Sequence, residues 1–270
     1  TLDDLKNYYA KGFSPQNANI TIAGNINEDD AIEVFKVLET KWKETDIAVP
    51  LPTISHSLSS SKVYFVDFPG AKQSEIRIGS TGLAFTDPDY FKATVMNYKL
   101  GGSFNGIVNL ILREEKGYTY GARTSFTGSD FPGYFVASAG VQSDATLESA
   151  QIFRDEMIKY RNGISNEDLQ FTKDALIKSN ALRYETIGAL RGMLSQIAWY
   201  NLPFDYIKDQ ERQISDMTLE QHKMLAQKYI HPDKMIYLIA GDKATQMEKL
   251  KELGFGDPIL LDKDGNIQSN

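Results

Sequence analysis

The chain carries the same stretch twice. Residues Thr1 to Gly24 align without a gap over Thr218 to Gly241, at a constant offset of 217. Thr1/Thr218, Leu2/Leu219, Lys6/Lys223, Lys11/Lys228, Pro15/Pro232, Ile22/Ile239, Ala23/Ala240 and Gly24/Gly241 are identical pairs. Each copy opens on a Thr that can cap a helix with a polar residue three positions on, runs an amphipathic helix, breaks at a proline and enters an apolar strand ending in Gly. A further helix follows in both, over 28–41 and 245–253. Convergence on a common helix, turn and strand is the alternative reading, although the shared Ile-Ala-Gly ending exceeds what capping and turn chemistry require.

Taken as a true repeat, one unit spans about 217 residues. Residues 1–45 then read as the helix-strand-helix tail of a preceding homologous domain, and the chain as a fragment. Residues 46–61 combine two prolines with a serine-rich run and read as a linker. Residues 62–256 read as one complete domain and 257–270 as a flexible tail.

Within 62–256 the hydrophobic period alternates between strand and helix. Strands are predicted over 62–68 and 74–82, as a hairpin-like pair about the turn at Pro69-Gly70. A helix is predicted to start at Asp87-Pro88 and stop at Gly101-Gly102, and a second one runs over 104–115 and ends before Gly117. Strands over 118–127 and 133–142 form an antiparallel pair. Helices follow over 145–160, over a long pattern from 165 to about 201 that Gly188 or Gly192 could divide, and over 204–214. Strands grouped as pairs with helices in runs predict an α+β fold, an antiparallel or mixed sheet covered by helices on one face.

Composition removes several function classes. Cysteine is absent, and with it go disulfides, thiolate metal sites and cysteine nucleophiles. Thirty-six acidic residues outnumber 29 scattered basic ones, which argues against a nucleic-acid partner. No apolar run is long enough to span a membrane, and no signal segment opens the chain. The histidines, His56, His222 and His231, lack the spacing of a metal-binding pair. Gly101, Gly102 and Gly106 read as a helix-helix turn because no Gly-Lys-Ser/Thr follows. Glu114 and Glu115 point in different directions as neighbours on a helix. Ser103, Ser125 and Ser138 have no histidine partner in sequence, and the Asp262 to Asn266 loop lacks the terminal Glu of a calcium site.

The segment Leu100 to Phe126 holds the chemistry. A glycine-rich turn leads into a helix ending in Leu112-Arg113, Gly117 stops it, and Tyr120 follows seven residues after Arg113 on the next strand. The Gly-stopped turn predicts that Arg113 and Tyr120 fold back toward a common point. The structural alternative is an arginine placed by the helix dipole and a tyrosine placed by strand propensity.

This segment resembles the second-half signature of the pitrilysin/insulinase/mitochondrial processing peptidase family, the inverzincin metallopeptidases. The resemblance implies a duplicated-domain architecture and a zinc cofactor in the intact enzyme whose ligands are not in this chain. It implies that Arg113 and Tyr120 are catalytic, binding the scissile carbonyl of a peptide substrate and stabilising the oxyanion. It places zinc and the general-base Glu on a domain or subunit in cis or in trans. A catalytically silent structural or partner subunit of the same fold is the alternative function.

Overall fold

Capping residues and glycines set most boundaries in the computed structural model, which describes residues 1–44 and 58–268. The chain divides into two compact units, Thr1–Thr53 with Ile177–Asp209 and Ile54–Leu176 with Gln210–Asn270.

In the first of these, α1 (Leu2–Gly12) is closed by a capping box between Thr1 and Asp4, and α2 (Glu28–Lys41) begins at the cap Asn27. Residues 19–23, expected as a strand, find no ladder partner among the described residues. They run along a helix instead. Thr21 and Ser195 share a hydrogen bond of 2.7 Å, and Ile22, Ala23, Leu190 and Leu194 line one apolar trough. The linker predicted over 46–61 falls largely outside the described residues. Its last residue is part of the fold, since Ser61 donates to the Pro232 carbonyl at 3.0 Å and accepts from the Met235 N–H at 2.9 Å.

The larger unit is a six-stranded mixed sheet. In chain order its strands are β1 (Lys62–Asp67), β2 (Gln73–Thr81), β3 (Thr119–Thr127), β4 (Tyr134–Gln142), β5 (Ile236–Gly241) and β6 (Ile259–Leu261), arranged β3-β4-β2-β5-β1-β6. β1 and β2 therefore do not form the expected hairpin. β5 lies between them, parallel to β1 and antiparallel to β2. The turn at Pro69-Gly70 leads the chain across one strand position rather than to its neighbour. The segment 257–270, expected as a flexible tail, supplies β6, which pairs in parallel with β1 and is braced by the Leu261–Ile267 bridge. Leu260 is buried, and that apolar burial explains why the last strand stays.

Alternation gives the sheet two different faces. Val63, Phe65, Ile76, Ile78, Phe135, Ala137, Tyr237 and Ile239 are buried on one. Against it pack α3 (Tyr90–Asn97), continued by π turns to Gly102, and the short α4 (Ile107–Asn109), continued by π turns over Leu110–Glu115. α5 (Thr146–Tyr160) adds Ala150, Phe153 and Met157 to the same core. The other face stays open to solvent, the half-covered arrangement that alternation predicts. It carries a cross-strand row of Arg123, Ser138, Arg77, Leu238 and Tyr64.

The long helical pattern from Ser165 splits into α6 (Asn166–Arg183) and α7 (Ile187–Tyr200). The break precedes both glycines. Thr186 makes it, its hydroxyl accepting the Ala189 N–H at 3.1 Å as an N-cap. α8 (Tyr206–Asp216), α9 (Leu219–Tyr229) and α10 (Lys243–Gln246) complete the chain, with a 3-10 segment at Glu248–Leu253. Thr218 and Gln221 close α9 with the same capping box that Thr1 and Asp4 give α1.

Candidate functional site

The open face meets the end of α3 at a cavity of about 500 Å³. Its shape begins with Gly101, where a Cβ would stand 2.7 Å from the Thr124 nitrogen. Only a residue without a side chain lets the helix end touch the strand this closely. Two asparagines then fix that contact. Asn97 donates to the Thr124 carbonyl at 2.9 Å and accepts from the Thr124 hydroxyl at 2.6 Å. Asn109 accepts from the Ala122 N–H at 2.9 Å and donates to the Phe104 carbonyl at 2.7 Å. β3 is an edge strand, and these side chains occupy backbone groups that would otherwise be free to pair with another strand.

The turn between the π segment and β3 is held from both sides. Gly117 adopts φ +67°, the left-handed region. Lys116 Nζ and Tyr118 Oη each donate to Glu148 on α5, at 2.7 Å and 2.7 Å. Lys116 first, and Tyr118 after it, hold the Glu148 carboxyl below the usual carboxylate range. Gln142 donates to the Gly117 carbonyl at 3.1 Å.

Immediately beyond this turn β3 is irregular. Thr119 pairs with Val141 and Ala122 with Ala139, so three residues of β3 advance against two of β4, a β-bulge. The bulge turns Tyr120 out of the sheet, leaving it 91% exposed at the cavity. Glu75, Ser103, Phe104, Arg123 and Ser138 line the same cavity. Glu75 is paired with Arg77, whose Nε and Nη2 both approach Oε1 at 2.9 Å.

The two sequence-predicted residues are placed differently. Tyr120 lines the cavity, but Arg113 is not among its lining residues. Arg113 stacks its guanidinium 4.5 Å from the centre of the Phe104 ring, itself a lining residue, in a cation–π contact. Nη1 lies 3.4 Å from Glu114 Oε1, and this buried nitrogen makes no hydrogen bond. Sequence reasoning passed over Asn97, Asn109, Arg123 and Glu148. A signal existed for Asn109, a polar residue inside the apolar run from Ile107 to Leu112. Gly121, a glycine inside a strand, signalled the bulge.

The described residues of this chain do not fit a zinc site. His222 is buried, with Nε2 at 3.0 Å from the Tyr160 hydroxyl and 3.2 Å from the Met96 carbonyl. His231 makes a hydrogen bond of 2.9 Å with the Lys228 carbonyl, and His56 lies outside the described residues. Among the described residues no three His, Asp or Glu side chains converge as ligands. Serine chemistry is no better served, because the imidazole of His222 is committed to the core and not to Ser103 or Ser138.

Residues 1–176 match the sequence profile of the peptidase M16 inactive domain. The chain belongs to the peptidase M16 family. It is an inactive-domain-type member of a zinc protease family, and the resemblance read from Leu100 to Phe126 is borne out. Over 206 residues it is 25% identical to an uncharacterized zinc protease of Streptomyces coelicolor, covering 74% of this chain and 45% of that protein. Over 257 residues it is 22% identical to a non-peptidase homolog of Helicobacter pylori, covering 90% of this chain and 56% of that one. The M16 chain thus spans about half the length of these curated relatives. Its fold matches the crystal structure of a peptidase M16 inactive domain from Pseudomonas fluorescens with a TM-score of 0.80 and 25% identity, covering 90% of this chain and 58% of that chain. No helix among the described residues is long and apolar enough to cross a membrane.

Proposed function

We propose that this chain is the non-zinc half of an M16 zinc metalloendopeptidase that encloses peptides or unfolded segments. Tyr120 and Arg113 bind the scissile carbonyl and stabilise the oxyanion, and zinc and the general-base Glu come from a domain or subunit in cis or in trans. The observation that carries this reading is the bulge between Thr119 and Ala122, which leaves Tyr120 exposed at a cavity beside the open sheet face. A phenol on a rigid ring is a suitable oxyanion donor, and a site on a strand end keeps it in place. The Nη1 of Arg113, a buried donor that makes no hydrogen bond and stands 3.4 Å from Glu114, takes an acceptor when the Phe104 ring moves aside. Extended substrate is held by strand addition on the zinc-bearing part, because Asn97 and Asn109 already occupy the outer edge of β3.

Residues 1–45 belong, on the same reading, to a preceding domain of the same fold. Leu5 is 67% exposed where its repeat equivalent His222 is 1% exposed, and Ile20 is 53% exposed where Tyr237 is fully buried. Tyr8 and Phe13 repeat the contrast with Leu225 and Ile230. A chain segment patterned for burial and left uncovered fits a partner sheet and helix supplied by that domain.

The test uses the intact gene product. Arg113→Ala and Tyr120→Phe each lower peptide turnover by about a hundredfold, the usual loss of one oxyanion donor. Unchanged rates in both variants overturn the assignment.

A second reading, a catalytically silent partner subunit, is favoured by the Helicobacter pylori relative, whose name denies it peptidase activity. Zinc content and turnover of the intact protein separate the two, as does an H-x-x-E-H motif with a distant Glu in the coding sequence upstream of Thr1.

A further inference from the structure

Successive side chains on a regular strand point to opposite faces, so positions three apart never share one. Tyr120 and Arg123 are three apart and line one cavity. The extra residue of the bulge cancels the alternation between them. Nothing in the role given to Tyr120 requires a second residue here, and the residue that the bulge delivers is a cation.

Of the other polar groups of the cavity wall, Asn109 and Glu75 are committed, whereas the buried Ser103 hydroxyl makes no hydrogen bond among the described residues. Asn109 spends its amide on the Ala122 N–H and the Phe104 carbonyl. Glu75 is held by Arg77 through two contacts of 2.9 Å. Arg123 is exposed and meets no carboxylate among the described residues. In cross-strand register it stands opposite Ser138, which in turn stands opposite Arg77. Arg77, which stands outside the lining, neutralises the one carboxylate of the wall, Glu75, so the Arg123 guanidinium is left as the cavity's charge without a carboxylate partner. The whole chain is acidic, with a net charge of -7. Beyond about 8 Å at physiological ionic strength that field is largely screened, so the local guanidinium decides what the cavity accepts.

We propose that Arg123 is a specificity-determining residue that takes the carboxylate of an Asp or Glu side chain in a bound peptide, close to the carbonyl held by Tyr120. The planar guanidinium offers paired donors that match a carboxylate. Ser138 adds a hydroxyl beside it, and the Glu75–Arg77 pair keeps the neighbouring carboxylate from competing for the same cation. The proposal rests on the peptidase reading for the position of the peptide, but not for the charge preference itself.

The experiment compares matched fluorogenic peptides that differ only in Asp, Asn or Lys at the residues flanking the cleaved bond, using the intact protein. At one flanking position kcat/KM for Asp exceeds that for Lys by about fivefold or more at low salt, and the ratio falls as salt is raised. Arg123→Gln brings the ratio close to one, and Arg123→Glu reverses it in favour of Lys. Turnover with no charge preference, or a preference that survives Arg123→Glu, overturns the role of Arg123 and leaves the peptidase reading standing. If no peptide is cleaved the peptidase reading fails, and equilibrium binding of the same labelled peptides then decides Arg123. Tighter binding of the Asp peptide, reversed by Arg123→Glu, supports it; equal binding of the Asp and Lys peptides overturns it.

Discussion

Asn109 gives its amide oxygen to the N–H of Ala122 at 2.9 Å, one residue past the bulge that exposes Tyr120. A helix side chain thus performs the work of a neighbouring strand. It ends the irregular stretch of β3 and fixes where regular alternation resumes.

Removing that amide leaves the buried N–H of Ala122 without an acceptor. Asn109→Ala therefore lowers stability by roughly 1 to 3 kcal/mol, the cost of an unsatisfied buried donor. Urea unfolding of the variant measures it. Asn109→Asp, which keeps an oxygen facing Ala122 but loses the donor to Phe104, gives amide exchange at Ala122 slower than in Asn109→Ala.

Two glycines of the site fail for different reasons when given a side chain. Gly101→Ala drives a Cβ to 2.7 Å from the Thr124 nitrogen and hydroxyl, an overpacked contact with backbone that costs about 1 to 3 kcal/mol. Gly117→Ala meets nothing within 4 Å but keeps φ +67°, so it loses only about 1 kcal/mol of backbone energy. Thermal melts of the two variants rank them in that order.

His222 ties stability to pH. Burial, opposed by the hydrogen bond with the Met96 carbonyl, pulls its pKa down to about 4. The unfolded chain therefore takes up a proton near the ordinary value of 6.5 while the folded chain stays neutral. The stability this neutral imidazole confers is complete above about 6.5 and is lost as pH falls from there to about 4, by roughly 3 kcal/mol in all. Unfolding measured across that window shows the decline, and His222→Gln flattens it.

The repeated strands exchange at different rates. Amides of Ile236 to Ala240, paired on both sides within the sheet, exchange slowly. Residues 19–23, without a ladder partner among the described residues, exchange fast in the monomeric chain. Equal protection of the two segments in a verified monomer contradicts the assignment of residues 1–45 to an absent domain.

The α+β class, the pair β3 and β4, and the boundaries of α5 were legible because alternation and capping are local. The neighbours of β1 and β2 were not, since the competing choice, a hairpin at Pro69-Gly70, satisfies the same local signals. Only the apolar run at Ile236 to Gly241, far along the chain, decides between them. The split between α6 and α7 was misplaced for a related reason: glycine is a tolerated helix residue, whereas Thr186 provides a cap. At the site, Tyr120 was singled out by its spacing of seven residues from Arg113 and by the family resemblance, and it lines the cavity. Arg123 was not, because strict alternation assigns it to the opposite face from Tyr120. Arg113 was expected to converge on Tyr120, but it stacks on Phe104, a ring whose position depends on the Gly101 to Gly106 turn and not on the spacing of Arg113.

The central position of β5 also constrains how the chain is made. As it leaves the ribosome, β1 and β2 emerge with a gap between them, and the strand that fills it is synthesised only after every helix from α3 to α9. The sheet cannot close before β5 is made. Phe65 and Ile78 stay without their final neighbours until the nascent chain has passed Gly241, so the last folding step joins distant parts of the sequence and is slow for that reason.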